Sequence, residues 1–281
     1  MPKLYYLILM KVQHSFTMLN NVKVFLTDFL RILLAKYLLI MKNILITGIS
    51  KGLGLEIVKI LLEEGYYIFG INRSISDNLD HLMQKYEKQI KVFKYDLQDS
   101  ESIKSLLLGD FIDLNTPISG FINNAAIAYD DLVTNINHQS LQKMYSINVF
   151  SPFILTKYVI RNMLLHKTKG SIVHISSISV HTGYKGLSMY ASTKGAIESF
   201  SKNTAREWGE RKIRSNCVVA GFMETKMSAK LSLSQKERIY NRTALKTSTN
   251  IQSVANTVSY LLSEKSKSIT GQNIFVDSGT I

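Results

Sequence analysis

Residues 44–71 constrain the fold more tightly than any other stretch of the chain. Ile44–Thr47 is a short apolar run with the length of a buried parallel strand. Gly48, Gly52 and Gly54 follow at once, then a helical pattern, LEIVKILLEEG, closed by Gly65, and a second apolar strand, YYIFGI. Strand, turn, helix and strand in this order make a right-handed βαβ unit, so the two strands lie parallel. Glycines let the turn bend sharply and let a ligand approach the backbone, while the helix that follows presents free N–H groups to phosphate. The turn residues Gly48, Ser50, Lys51, Gly52, Leu53 and Gly54 are therefore candidates to hold a dinucleotide. Their spacing is G-x-x-x-G-x-G, which departs from the common G-x-G-x-x-G form.

The same alternation continues to the C-terminus. VFKYDLQD reads as a third strand ending at Asp96 and Leu97, with Asp99 or Ser100 placed to cap the next helix. ISGFINNAA is the fourth strand and its exit. Residues 139–166 read as one long helix, kinked near Pro152. GSIVHISS, KIRSNCVVAGFMET and ITGQNIFVDSGT supply strands five to seven, and a helix spans about 188–208. The fold class is α/β, a doubly wound parallel seven-stranded sheet in one domain over 41–281, with an N-terminal extension at 1–40.

The chemistry-bearing pair is Tyr190 and Lys194 in YASTK. At i, i+4 both side chains leave one face of a helix, where an ammonium can stabilise a tyrosinate. Tyr-x-x-x-Lys alone arises often by chance. Here it follows Ser176 and Ser177 and lies downstream of the glycine turn. From about residue 42 to the C-terminus this ordered set resembles the short-chain dehydrogenase/reductase family.

The resemblance implies a catalytic set. Ser177, thirteen residues before Tyr190, is the family serine that hydrogen-bonds the substrate oxygen. Tyr190 is the proton donor. Lys194 lowers its pKa together with the oxidised nicotinamide and holds the nicotinamide ribose. Asn148 holds a water that links the lysine to solvent. It also implies that Asp96 lies against adenine, that Asn123 and Ala125 belong to the family's Asn-Asn-Ala-Gly, and that Thr225 touches the carboxamide or phosphates. Two positions depart from the pattern: Ala126 stands for glycine, and Ala220 for the proline of Pro-Gly. Arg73 after the second strand and Lys51 in the turn, with no acid there, suit a 2′-phosphate and point to NADP(H). The implied reaction is NADPH-dependent reduction of a ketone, most like a 3-oxoacyl-acyl-carrier-protein reductase. Two rivals stand beside it: oxidation of a secondary alcohol or sugar on the same fold, and a non-catalytic dinucleotide sensor or scaffold.

Composition narrows the rest. The single cysteine, Cys217, sits in an apolar run and reads as a core thiol in a reducing, cytoplasmic setting. Six scattered histidines form no metal-ligand motif, so no metal is expected. The net charge of +13 is spread along the chain, which argues for solvated faces and anionic ligands over nucleic acid. Residues about 223–250 should form a substrate lid, and METKMSAKLSLSQKERIYNRTALKT holds six Lys/Arg and two acids. That balance fits an acidic partner such as an acyl-thioester carrier, or a carboxylated or phosphorylated substrate. Family members form tetramers or dimers, so a homo-oligomer is expected. Residues 1–40 carry five Lys/Arg and one acid around apolar runs too short to span a bilayer. They read as a membrane-surface helix, as a targeting peptide, or as a segment upstream of a natural start at Met41. The third is preferred, because Met41-Lys-Asn leads straight into the first strand.

Overall fold

A strand flanked by helices on both faces must be apolar throughout, and β1 (Asn43–Thr47) is buried at all five positions. In the computed structural model, which describes residues 41–105, 111–225 and 231–281, β1 lies in the middle of one parallel sheet. The other strands are β2 (Tyr67–Asn72), β3 (Ile90–Lys94), β4 (Gly120–Asn123), β5 (Ser171–Ser177), β6 (Arg214–Ala220) and β7 (Asn273–Val276). Their order is β3-β2-β1-β4-β5-β6-β7, every pairing parallel. The chain winds outward from β1 in one direction to β3, then returns to β4 on the other side of β1. The crevice between the carboxyl ends of β1 and β4 is the switch point where such sheets bind ligands. The expected seven-stranded doubly wound sheet is therefore present.

Alternation along β1 sends its side chains to two cores. Ile44 and Ile46 pack with α1 (Gly52–Glu63), α2 (Asp77–Lys85) and α7 (Ile251–Leu262). Leu45 faces the other way with Phe121, and there Leu155, Val159 and Met163 of α4 (Ser151–Leu165) fill the space. On this second side α5 (Ser188–Trp208) is tied to α4 by the stacked rings of Phe153 and Phe200, 3.8 Å apart. Cys217 is fully buried in β6, and burial pushes its thiol up to about 12, so it is a core residue as the sequence indicated.

One expected element is different. Residues 139–166 are not a single kinked helix. They form α3 (His138–Tyr145), a π-helical segment over Ser146–Phe150, and α4. The π turn inserts one residue per turn immediately before Pro152, which has no N–H to offer the carbonyl of Asn148 four residues back. Proline accordingly sits near the start of α4, where a missing N–H costs least. The lid is described in part: α6 (Leu233–Tyr240) opens with a capping box between Ser232 and Gln235. The readings of residues 1–40 lie outside the described residues, as does the lid stretch 226–230.

Candidate active site

The turn after β1 is built by close packing. Gly48 has φ +75°, and a Cβ there would come within 2.8 Å of the Cα of Ala125. A Cβ on Gly54 would meet the Gly48 carbonyl oxygen at 2.1 Å, so only glycine lets the first turn of α1 lie on the strand exit. Gly48 N–H donates to Ile71 O at 2.9 Å, which joins the turn to the end of β2. Asn124 locks the other side: its Nδ2 donates to Thr47 O at 3.0 Å and to Gly48 O at 2.9 Å. Thr47 Oγ1 accepts from the backbone N–H groups of Asn124 and Ala125. Ser76, the N-cap of α2, reaches back to Ser50 O at 2.5 Å and fixes the β2 exit against the turn. Thr47 and Ser76 are not singled out by the sequence, and Asn124 only as a member of the Asn-Asn-Ala-Gly resemblance. The signal was their position beside glycines, but hydroxyl and amide side chains at strand ends are too common to read alone.

A cleft of about 1100 Å³ opens over this turn. Gly48, Ser50, Lys51, Gly52, Leu53 and Gly54 line it, with Arg73 at the exit of β2 and Asp96 and Leu97 at the exit of β3. Thr225 lies across from the turn, 3.8 Å from where a Cβ on Gly52 would stand. Asn123 is placed differently from the expectation. It is the last residue of β4, 3% exposed, and does not line the cleft, whereas Asn124 and Ala125 do. The reason is strand alternation: the first asparagine completes the sheet and the second begins the loop.

Ser177, Tyr190 and Lys194 meet at the far end of the same cleft. Ser177 closes β5 and accepts from Ser179 N–H at 3.2 Å. Ser176 turns to the opposite side and donates to Glu198 Oε1 at 2.5 Å. Glu198 is one helical turn beyond Lys194, buried, and is also held by Asn273 Nδ2 at 2.7 Å and His181 Nε2 at 3.1 Å. Lys194 is 3% exposed and donates to Ile175 O at 2.7 Å, with Nζ 5.7 Å from the centre of the Tyr190 ring. Burial lowers its ammonium to about 8, opposed by the charge of Glu198, so it remains mostly protonated at neutral pH.

The expected lowering of the Tyr190 pKa is assigned to Lys194 together with a bound oxidised nicotinamide. From the protein's own groups, that pKa is pushed up to about 12, first by burial and then by the charge of Asp130, against the hydrogen bond from Ser177. Loss of solvation outweighs any help from Lys194, whose ammonium is held toward the β5 backbone. The phenol therefore keeps its proton at neutral pH. Asp130, on the loop after β4, lines the cleft and was not anticipated.

Asn148 does not line the cleft. Its amide is fully engaged: Oδ1 accepts from Ile127 N–H at 2.9 Å, and Nδ2 donates to Ile127 O at 2.8 Å and Thr193 Oγ1 at 3.1 Å. Thr193 in turn donates to Tyr190 O at 2.8 Å. The side chain thus braces the β4 exit loop against the catalytic helix. Pro152 offers no N–H to the backbone carbonyl of Asn148.

Comparisons with known proteins agree with this architecture. A family model described as enoyl-(acyl carrier protein) reductase matches residues 48–280. The chain belongs to the short-chain dehydrogenase/reductase family. It is 30% identical over 243 residues to a 3-oxoacyl-[acyl-carrier-protein] reductase of Chlamydia pneumoniae, covering 86% of this chain and 97% of that one. It is 32% identical over 237 residues to carbonyl reductase [NADPH] 2 of Sus scrofa, covering 84% and 94%. Among solved structures, 4-hydroxyisoleucine dehydrogenase complexed with NADH superposes with a TM-score of 0.79 at 28% identity, covering 85% of this chain and 98% of that one. The chain is an oxidoreductase of this family and takes a dinucleotide cofactor.

Proposed function

We propose that this protein reduces a ketone to a secondary alcohol with NADPH. The observation that carries the reading is the convergence of Ser177, Tyr190 and buried Lys194 on one cleft with an uncapped helix N-terminus at its other end. The donor set fits a phosphorylated dinucleotide. Lys51 is the N-cap of α1 and makes no side-chain cap bond, and the first turn of that helix carries no acid to repel a pyrophosphate. Asn72, Arg73 and Ser74 line the exit of β2, where an acid would favour unphosphorylated ribose; none of the three is acidic. When bound, NADPH supplies hydride to the carbonyl carbon.

The chain's own groups handle the oxygen. As negative charge grows there, the Ser177 hydroxyl donates to it, its oxygen already steadied by Ser179 N–H. Tyr190 then gives up its proton to the oxygen and completes the alcohol. A phenol held protonated to about 12 is a fit donor to an alkoxide, which is the stronger base. Lys194, buried and cationic, stabilises the phenolate left behind and would hold the nicotinamide ribose. Regain of the proton runs through the Lys194 ammonium and a water hydrogen-bonded to the backbone carbonyl of Asn148. The relatives of carbonyl-reductase and 3-oxoacyl-reductase type support reduction, and a 3-oxoacyl thioester is one candidate substrate. The NADH complex of a structural neighbour supports the alternative, oxidation of an alcohol with NAD, but Lys51 and Arg73 weigh against it. A cytoplasmic homo-oligomer, dimer or tetramer, completes this reading.

The test is a panel of ketones and 3-oxoacyl thioesters followed by loss of reduced-nicotinamide absorbance. At least one compound should be turned over, and Tyr190→Phe should lower that rate by ~10²–10⁴ while NADPH still binds. Unchanged turnover in the Phe variant, or strong preference for NAD, overturns the reading.

A further inference from the structure

We infer that the carbonyl substrate carries an anionic group, a carboxylate or a phosphate, seated against Arg238, Arg242 and Lys185 at the lid end of the cleft. The inference rests on the ketone-reduction reading and adds the chemical class of the substrate. Its basis is which side of α6 faces the cleft. Gln235, Arg238, Ile239 and Arg242 line the cleft, spaced i, i+3, i+4 and i+7, so the helix and the turn after it present one continuous face inward. An inward face on a lid over an uncharged ketone would be apolar. Here Ile239 is flanked by two guanidinium groups.

Of the other charged groups described in the lid, Lys246 donates to the backbone carbonyl of Asn241. Lys236, off that face, pairs with Glu224 at 3.4 Å, and the Tyr240 hydroxyl donates to the same carboxylate. These contacts lower the pKa of Glu224, first through the hydrogen bond from Tyr240. Arg242 lies over the ring of Tyr184, 5.7 Å from its centre. Stacking on an aromatic face steadies a guanidinium while its N–H edge stays free to grip an oxyanion. Lys185 joins from the loop that leads into the catalytic helix. Among the described residues that line the cleft the only acids are Asp96 and Asp130, one at the exit of β3 and one on the loop after β4. Neither belongs to the lid.

A plainer account is that basic residues gather at the C-terminal end of α6 to offset its dipole. It explains Arg238 in the last turn. It does not explain why Lys185, from a separate loop, lines the same cleft, nor why both arginines take cleft-lining positions.

The experiment uses the full chain loaded with NADP⁺, so that ligands bind without reacting. Binding by calorimetry compares acetoacetate and levulinate with their methyl esters, and dihydroxyacetone phosphate with dihydroxyacetone. At least one charged member should bind ~10-fold more tightly than its neutral partner, a step of ~1.4 kcal/mol. The carboxylate and phosphate arms decide which anion is preferred. That preference should shrink toward unity in R238Q/R242Q and fall with added salt in the unmodified protein. Should the double variant fail to fold, K185Q and the salt series still read the same contact. Charged and neutral members binding alike, or a preference unmoved by both salt and substitution, overturns the inference. Turnover separates the two claims: esters reduced with NADPH but no charge preference leaves the reduction reading standing without the subsite. A charge preference with no NADPH-linked turnover of any ketone does the opposite.

Discussion

His174 sits in the middle of β5, fully buried, with no hydrogen-bond partner at either ring nitrogen. The edges of Phe121 and Phe200 enclose it, with ring centres at 6.3 and 6.1 Å. An imidazole in such surroundings cannot accept a proton without losing its hydration, and Lys194 adds repulsion, so its pKa falls to about 3. The sign follows from linkage. Below pH ~6.5 the unfolded chain protonates this histidine and the folded one does not, so stability is lost as pH falls from ~6.5 toward ~3. The slope approaches ~1.4 kcal/mol per pH unit for one such group. The carboxyls of Asp99 and Glu224, held below their ordinary values by hydrogen bonds, act only at lower pH. Urea denaturation at pH 7, 6 and 5 should therefore show a falling midpoint, and His174→Leu should flatten that fall. Equal slopes in the two proteins would show that the histidine titrates freely.

Elements were legible where their cause is local. The βαβ unit announced itself through glycines and apolar runs, and α5 was placed at residues 188–208, where it stands. The π segment was not, because one extra residue per turn leaves the apolar pattern over residues 139–166 almost unchanged. The division of labour between Asn123 and Asn124 was lost for a similar reason: it depends on where β4 ends, and strand ends are not written in composition. Glu198 was invisible because its partners come from β5, β7 and the short helix Ser179–Thr182. Ser278 is a further case. Nothing in the strand pattern marks it, yet it holds a backbone φ of +57° just after β7. Its Oγ donates to Ser248 O at 3.3 Å, while Asp277 braces the turn by accepting from Gly279, Thr280 and Ile281. A β-branched side chain tolerates the left-handed region badly. Ser278→Val should be less stable than Ser278→Gly by ~1–3 kcal/mol, read from urea midpoints at constant slope. If the two midpoints coincide, the turn is not held left-handed in solution.

At the scale of the whole molecule, the cleft joins parts that the sheet alone does not hold together. The glycine turn, the β2 exit, the loop after β4 and the catalytic helix all border one space. A ligand that fills it binds only the folded protein, so it must raise the unfolding temperature by mass action. At 100 times its dissociation constant, NADPH contributes ~2.7 kcal/mol. For a chain of this size that is a shift of ~5–10 °C. NADH shares every contact except the 2′-phosphate, so the difference between the two cofactors isolates Lys51 and Arg73. If those cations hold the phosphate and weaken NADH binding by ~100-fold, NADH at the same concentration adds only ~0.4 kcal/mol, a shift near the limit of measurement. Thermal unfolding with equal concentrations of the two should show a large shift for NADPH and a small one for NADH. Lys51→Gln with Arg73→Asp should bring the two together, by lowering the first and, through the new carboxylate at the β2 exit, raising the second. Equal shifts in the unmodified protein would mean that the two cations are solvated surface charges, and the choice of NADP would have to be given up while the fold and the catalytic set remain.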